Sequence, residues 1–459
     1  MDTVAAMTTS RAAWTGVVVT ALLVVAAFTL PHLLDWEVNT RAPRSQVDEV
    51  LSPPFHGWWA PQWFGPGTLP AIALGLGGWW WVARWAPGAG WRPLLLATYL
   101  LALGWCLSLA LVDGPEGLSR VLGNPVEYLP TAREVDDVGL LLREYVERIS
   151  YDAAPRNWPT HVAGHPPLML LFFVGLVQLG LGGDLAAGVV VTVVGASMPV
   201  AVLVALRALG VEGVARRVAV PLALSPAAVF VAVSADAVIG AVVAWGLACL
   251  ALATRSTPRA RLWAVPAGLV LGCAVLMSYG MPLVGLVALA VITVGGAWRT
   301  SVLPVAVAAA WVPVLGFAAA GFAWWEAYPV LHDRYWEGIA ADRPAWYWLW
   351  GNLAALAVVL GPMVWAGLAV LLTRARALAR RTLDPEQRAV VLLAGAMLLV
   401  VLAADASRMS KSEVERIWLP FVPWLTLSVA LLPARWRSPA LLAQVVTALL
   451  VQHLLYTTW

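Results

Sequence analysis

Run after run of apolar residues without an Asp, Glu, Lys or Arg constrains this chain more than any motif does, because a stretch apolar all round its circumference is stable only in lipid or deep inside protein. Such stretches fall at 14–34, 70–83, 93–112, 185–206, 218–235, 237–254, 262–279, 281–298, 301–324, 351–373, 389–404, 417–433 and 438–457. They predict thirteen transmembrane helices. The 459 residues are 61% apolar and 12% charged, too few polar side chains to cover a soluble globule. The expected fold class is all-α, a polytopic integral membrane protein forming a single transmembrane domain over residues 1–459. The net charge of +3 gives no support to nucleic-acid binding. The three cysteines, Cys106, Cys249 and Cys273, all lie in apolar runs, so neither a disulfide framework nor a cysteine metal site is expected. The first run follows Arg11, is long enough to span and has no small-x-small cleavage site, so it reads as a retained helix.

A fourteenth apolar stretch, His165 to Leu181, decides the topology. If it crosses, Arg207, Arg216 and Arg217 are placed outside; if it lies re-entrant or along the surface, every strongly basic loop falls on one side. The positive-inside rule selects the second arrangement. It puts the N-terminus in the cytoplasm and the C-terminus outside a plasma membrane, with short basic cytoplasmic loops and longer acidic external ones. Chemistry is therefore expected outside, in three segments: 113–184 with its juxtamembrane helices, the aromatic segment 324–351, and the basic segment 405–416.

Within the first segment, residues Arg133 to Ser150 place Val135, Val138, Leu142, Tyr145 and Ile149 at steps of three and four, predicting an amphipathic helix in the interface plane. Asp136 points away from that stripe, while Asp137 stands four residues after Arg133 and has a ready ion-pair partner, leaving Asp136 the freer carboxylate. The plain alternative is that both solvate the helix. The segment closes on His161-Val-Ala-Gly-His165-Pro166-Pro167-Leu168. Arg408, Lys411 and Arg416 stand on the external side against the general bias, which suits an anionic phosphate at headgroup depth; a loop neutralised by Glu413 and Glu415 is the plain alternative. Trp346 and Trp348 lead a set of aromatics suited to stacking on sugar rings, or to an interfacial belt. His161 and His165 with nearby carboxylates leave a divalent metal open, but Gly-Pro-Pro keeps them off a regular helix face, and neither a metal site nor a cofactor is assigned.

The His-Pro-Pro-Leu sequence after an acidic first external segment resembles the protein O-mannosyltransferases and their bacterial relatives, and is related to the lipid A aminoarabinose transferases, all membrane glycosyltransferases of the type C superfamily. The Ser234-Ala-Asp236 turn is similar to that superfamily's acidic turn. The resemblance covers residues 93–236 and implies transfer of a sugar from a polyprenyl-phosphate donor to a hydroxyl of a lipid, glycan or protein acceptor on the extracytoplasmic face, in the cell envelope. It also implies a catalytic acidic residue near the start of the first external segment. Those families place an Asp-Glu pair before a Tyr where this chain has Asn124-Pro-Val-Glu127-Tyr128, so Asp136, Glu127 and Asp137, in that order, are the alternatives for the base. Arg408, Lys411, Arg416, His161 and His165 are expected around the donor phosphate, and Tyr128, Arg133, Asp236, Trp346 and Trp348 around the substrates. Two other classes remain: a secondary transporter or lipid-glycoconjugate flippase, which would carry midplane charges and broken helices, and a non-catalytic membrane partner in envelope assembly.

Overall fold

The computed structural model describes residues 2–40 and 53–457. Among these residues the architecture is all-α apart from one short ribbon. Among the described residues seven helical segments are long and apolar enough to cross a membrane: Met7–Leu33, Trp91–Asp113, Asp184–Ala208, Ala235–Ala253, Val302–Ala319, Pro385–Ala406 and Val414–Leu431. An eighth span arises if the bent pair Ala345–Leu360 and Pro362–Thr373 is counted as one. Composition and these helices together define a multi-pass membrane protein.

The thirteen expected helices are thus not thirteen continuous spans among the described residues, and the differences have local causes. The 218–235 stretch is broken: a helix ends at Ala223, two residues beyond Pro221, and a four-residue turn Ala228–Val231 follows Ser225-Pro226. Thr192 Oγ1 accepts the freed Val233 N–H at 3.2 Å, and Ser225 Oγ accepts that of Ala227 at 3.3 Å. Such side-chain acceptors let a helix break deep in a bundle without stranding backbone groups. The 351–373 stretch bends by 114° at Gly361, whose φ is +75°. Gln444 spans the break, donating to Leu360 O at 2.8 Å and accepting from Met363 N at 3.1 Å. The 262–279 and 281–298 stretches form the shorter helices Ala264–Val275 and, after a tight turn, Met281–Val294.

The segment 113–184 returns to the end of the bundle where it starts. Arg133 pairs with Asp184 and donates to Gly182 O at 2.9 Å, and a methyl group on Gly123 would lie 2.8 Å from Asp184 Oδ2. The helix after the His-Pro-Pro sequence, Pro167–Gln178, has twelve residues, a length of about 18 Å against a hydrocarbon core of about 30 Å. The amphipathic helix expected over 133–150 is shorter, covering Val138–Glu144. Asp137 caps it by accepting Leu140 N–H at 2.9 Å, so residues 133–136 lie outside the helix and the spacing that would pair Arg133 with Asp137 never forms. The apolar positions nonetheless face inward, with Leu142, Tyr145 and Ile149 buried.

The ribbon, absent from the all-α expectation, pairs Gly57–Trp59 antiparallel with Leu455–Thr457. It ties the chain after the first helix to the C-terminal helix. In doing so it carries His56 into the same end of the bundle as residues 127, 161 and 413–416.

Candidate functional site

At that end four distant segments deliver one buried ionic cluster. Glu127 stands at the start of the helix Tyr128–Ala132. His161 N–H donates to Val126 O at 3.2 Å, which sets the His161 segment beside Glu127. Ser234 caps the helix Ala235–Ala253 by accepting Asp236 N–H at 3.2 Å, and so fixes Asp236 in its first turn. Arg416 comes from a short helix that follows two residues in the left-handed region, Ser412 (φ 71°) and Glu413 (φ 63°). Neither is glycine, and each such position costs on the order of 1–3 kcal/mol unless its surroundings hold it. Here Asn352 holds Ser412 N–H at 3.1 Å and donates to Asp405 at 2.9 Å and to Ser410 O at 3.0 Å.

Arg416 is the hub. Its Nη1 donates to Asp236 Oδ2 at 2.8 Å; its Nη2 lies 3.3 Å from both Glu413 Oε2 and His161 Nε2. A guanidinium has only donors, so His161 Nε2 accepts and the imidazole proton is assigned to Nδ1, which lies 2.8 Å from Glu127 Oε1. Glu413 also lies 3.7 Å from Arg343 and 3.8 Å from His56, whose N–H donates to Glu415 at 3.0 Å. Burial raises the pKa of Glu413, but His56, Arg343 and Arg416 outweigh it and hold the carboxyl at about 2. Glu127 is likewise held below its ordinary value, burial being outweighed by His161 and Arg416. His165 is lowered by burial, and its Nδ1 lies 3.0 Å from His161 O. Tyr128 stacks on Phe173, its hydroxyl buried without a hydrogen-bond partner. Burial, then Asp236 and Glu127, push its phenol well up, so it stays a neutral donor.

Of the residues expected at the site, Glu127, Tyr128, His161, His165, Asp236 and Arg416 meet here. The others stand elsewhere. Asp136 and Asp137 are exposed, lining a cleft of about 220 Å³ with Glu134, Glu144, Arg148 and Arg156. Arg133 is taken by Asp184, and Arg408 is exposed. Lys411 is buried but turned to backbone, donating to Ala340 O and Arg343 O at 2.8 Å each. Trp346 packs edge-on against Trp36, exposed, whereas Trp348 is buried with its indole N–H on Val38 O at 2.8 Å. Among the described residues no group of three or more His, Cys, Asp or Glu is arranged to hold a metal, and Arg416 fills the place between Asp236 and Glu413 that a cation would take.

Sequence reasoning missed His56, Arg343 and Asn352. For Asn352 a signal existed, a polar amide at the head of an apolar run. For His56 and Arg343 there was none, since their roles come from contacts more than 65 residues away along the chain.

No family model matches this chain, and no curated protein does. One solved structure is similar: the crystal structure of the Archaeoglobus fulgidus oligosaccharyltransferase, tethered with an acceptor peptide containing the NVT sequon via a disulfide bond. The match has a TM-score of 0.38 and 14% identity, and covers 72% of this chain and 49% of that one. This chain therefore spans about half the length of the structure it matches, and a likeness so distant carries no argument.

Proposed function

We propose that this protein is a membrane glycosyltransferase that moves a sugar from a polyprenyl-phosphate donor to an acceptor hydroxyl on the extracytoplasmic face. The observation that supports it is the meeting of Glu127, His161, Asp236 and Arg416 from distant segments at one end of a lipid-embedded bundle. In this reading the acceptor oxygen attacks the anomeric carbon as the bond to the lipid phosphate breaks. The electron pair of that bond leaves on the phosphate oxygen, and the hydroxyl proton passes to Glu127. Arg416 meets the charge that develops on the phosphate, held in place by Asp236. The low basicity of Glu127 suits a proton lost late, once bond formation has made the attacking hydroxyl acidic. Asp136 and Asp137, solvated and outside the cluster around Arg416, are the weaker alternatives for the base. Glu127→Gln keeps the shape beside His161 and removes the base. Single-turnover transfer from a polyprenyl-phosphate sugar should fall by about 10²- to 10⁴-fold with donor affinity retained. Normal transfer in this variant would overturn the assignment.

The broken helix pair at Gly361 and the buried ion pairs favour a second reading, a transporter or flippase. In proteoliposomes it would move a polyprenyl-phosphate sugar across the bilayer without making a new glycosidic bond.

A further inference from the structure

The end of the bundle opposite the ionic cluster holds another charged cavity, of about 260 Å³, that the transfer reaction does not use. This is well above the roughly 10–15 Å³ that one water requires. Three arginines from separate segments converge on it: Arg217, Arg374 and Arg437. Two carboxylates share the lining, and both are engaged. Glu386 Oε2 lies 2.5 Å from Arg217 Nη2, and Asp384 caps the helix Pro385–Ala406 by accepting Gln387 N–H at 2.8 Å. Among the described residues the Arg374 side chain donates to Thr9 Oγ1 alone, at 3.4 Å, and neither it nor Arg437 meets a carboxylate. The Nε atoms of Arg217 and Arg374 are buried without a hydrogen-bond partner. Three guanidiniums around one cavity repel one another, and their planar donors match the oxygens of a phosphate group.

We propose that this cavity is a binding site for a phosphate group, gripped by Arg374 and Arg437 with Arg217 as the third cation. The site is separate from the transfer centre and holds whether or not that reading does. Two sources share the chemistry, an anionic lipid headgroup and free inorganic phosphate.

The test uses the full chain in phosphatidylcholine nanodiscs, titrated with inorganic phosphate against potassium chloride of equal ionic strength, and compared with nanodiscs containing phosphatidylglycerol. The expected result is a saturable rise in Tm in at least one arm. Arg437→Gln and Arg374→Gln should each weaken it by roughly tenfold, the loss of one charge-assisted contact. Arg437 lies at the exposed rim, so its variant keeps the fold. A rise with phosphate assigns the free ion; a rise with phosphatidylglycerol and none with phosphate assigns the headgroup. No rise in either arm, or a rise that both variants leave unchanged, overturns the site.

Discussion

Arg416 is 3% exposed and faces three acidic or imidazole partners at once, so its removal leaves Asp236 a buried, uncompensated charge, whereas Glu413 keeps Arg343 and His56. Breaking one side of a buried pair typically costs about 3–5 kcal/mol. Arg416→Gln should therefore lower unfolding stability in detergent by that order, whereas Arg408→Gln, on an exposed side chain, should stay within about 0.5 kcal/mol. Equal effects would contradict the buried hub. The same cluster sets a pH dependence. His165 sits below its ordinary value of 6.5 when folded, so stability falls as pH drops below about 6.5, where the unfolded chain takes up the proton more readily. Glu127 and Glu413 are also depressed. Their contribution is full above the ordinary carboxyl range and is lost as pH falls, for Glu413 through about 2. A thermal-stability series from pH 8 to 3 should show both limbs, and His165→Asn should remove the upper one.

At the scale of elements, the bend at Gly361 fixes how the chain crosses between the aromatic segment and the basic end. A methyl group there would lie 2.1 Å from Gln444 Oε1, at a φ of +75° that other residues adopt only under strain. Gly361→Ala should cost on the order of 1–3 kcal/mol from the backbone alone, and more through the displaced Gln444. A variant as stable as the parent in chemical unfolding would show that the bend is not enforced by glycine. The hydropathy pattern placed helices correctly at 14–34, 93–112 and 389–404, where the apolar run has no internal break, and overran the end of Val302–Ala319 by a few residues. It merged or overextended elements where the capping groups came from elsewhere, as Thr192 does for Val233 and Gln444 for Leu360 and Met363.

Taken whole, the bundle has two chemically distinct ends. One gathers Glu127, His161, Asp236, Glu413 and Arg416; the other gathers Arg217, Arg374 and Arg437. Because Asp184 meets Arg133, cysteines placed at Asp152 and Asp184 should be labelled from the same side by a membrane-impermeant reagent, and one at Arg216 should be protected. Labelling of 152 and 216 together, with 184 protected, would mean that Pro167–Gln178 crosses. The sequence by itself determined the solvent and the class of fold, because apolar runs without charges leave lipid as the medium and helices as the backbone solution. It also pointed to six residues of the cluster, Arg416 because it stands against the charge bias, and Glu127, Tyr128, His161, His165 and Asp236 through the resemblance that their motifs carry. What only the tertiary structure decided is which charges meet. Ion pairing depends on distances of a few ångströms between segments hundreds of residues apart, and side-chain periodicity reports only the face of a single helix. That is why Glu127 rather than Asp136 faces the arginine, and why His56 and Arg343 entered the site unannounced.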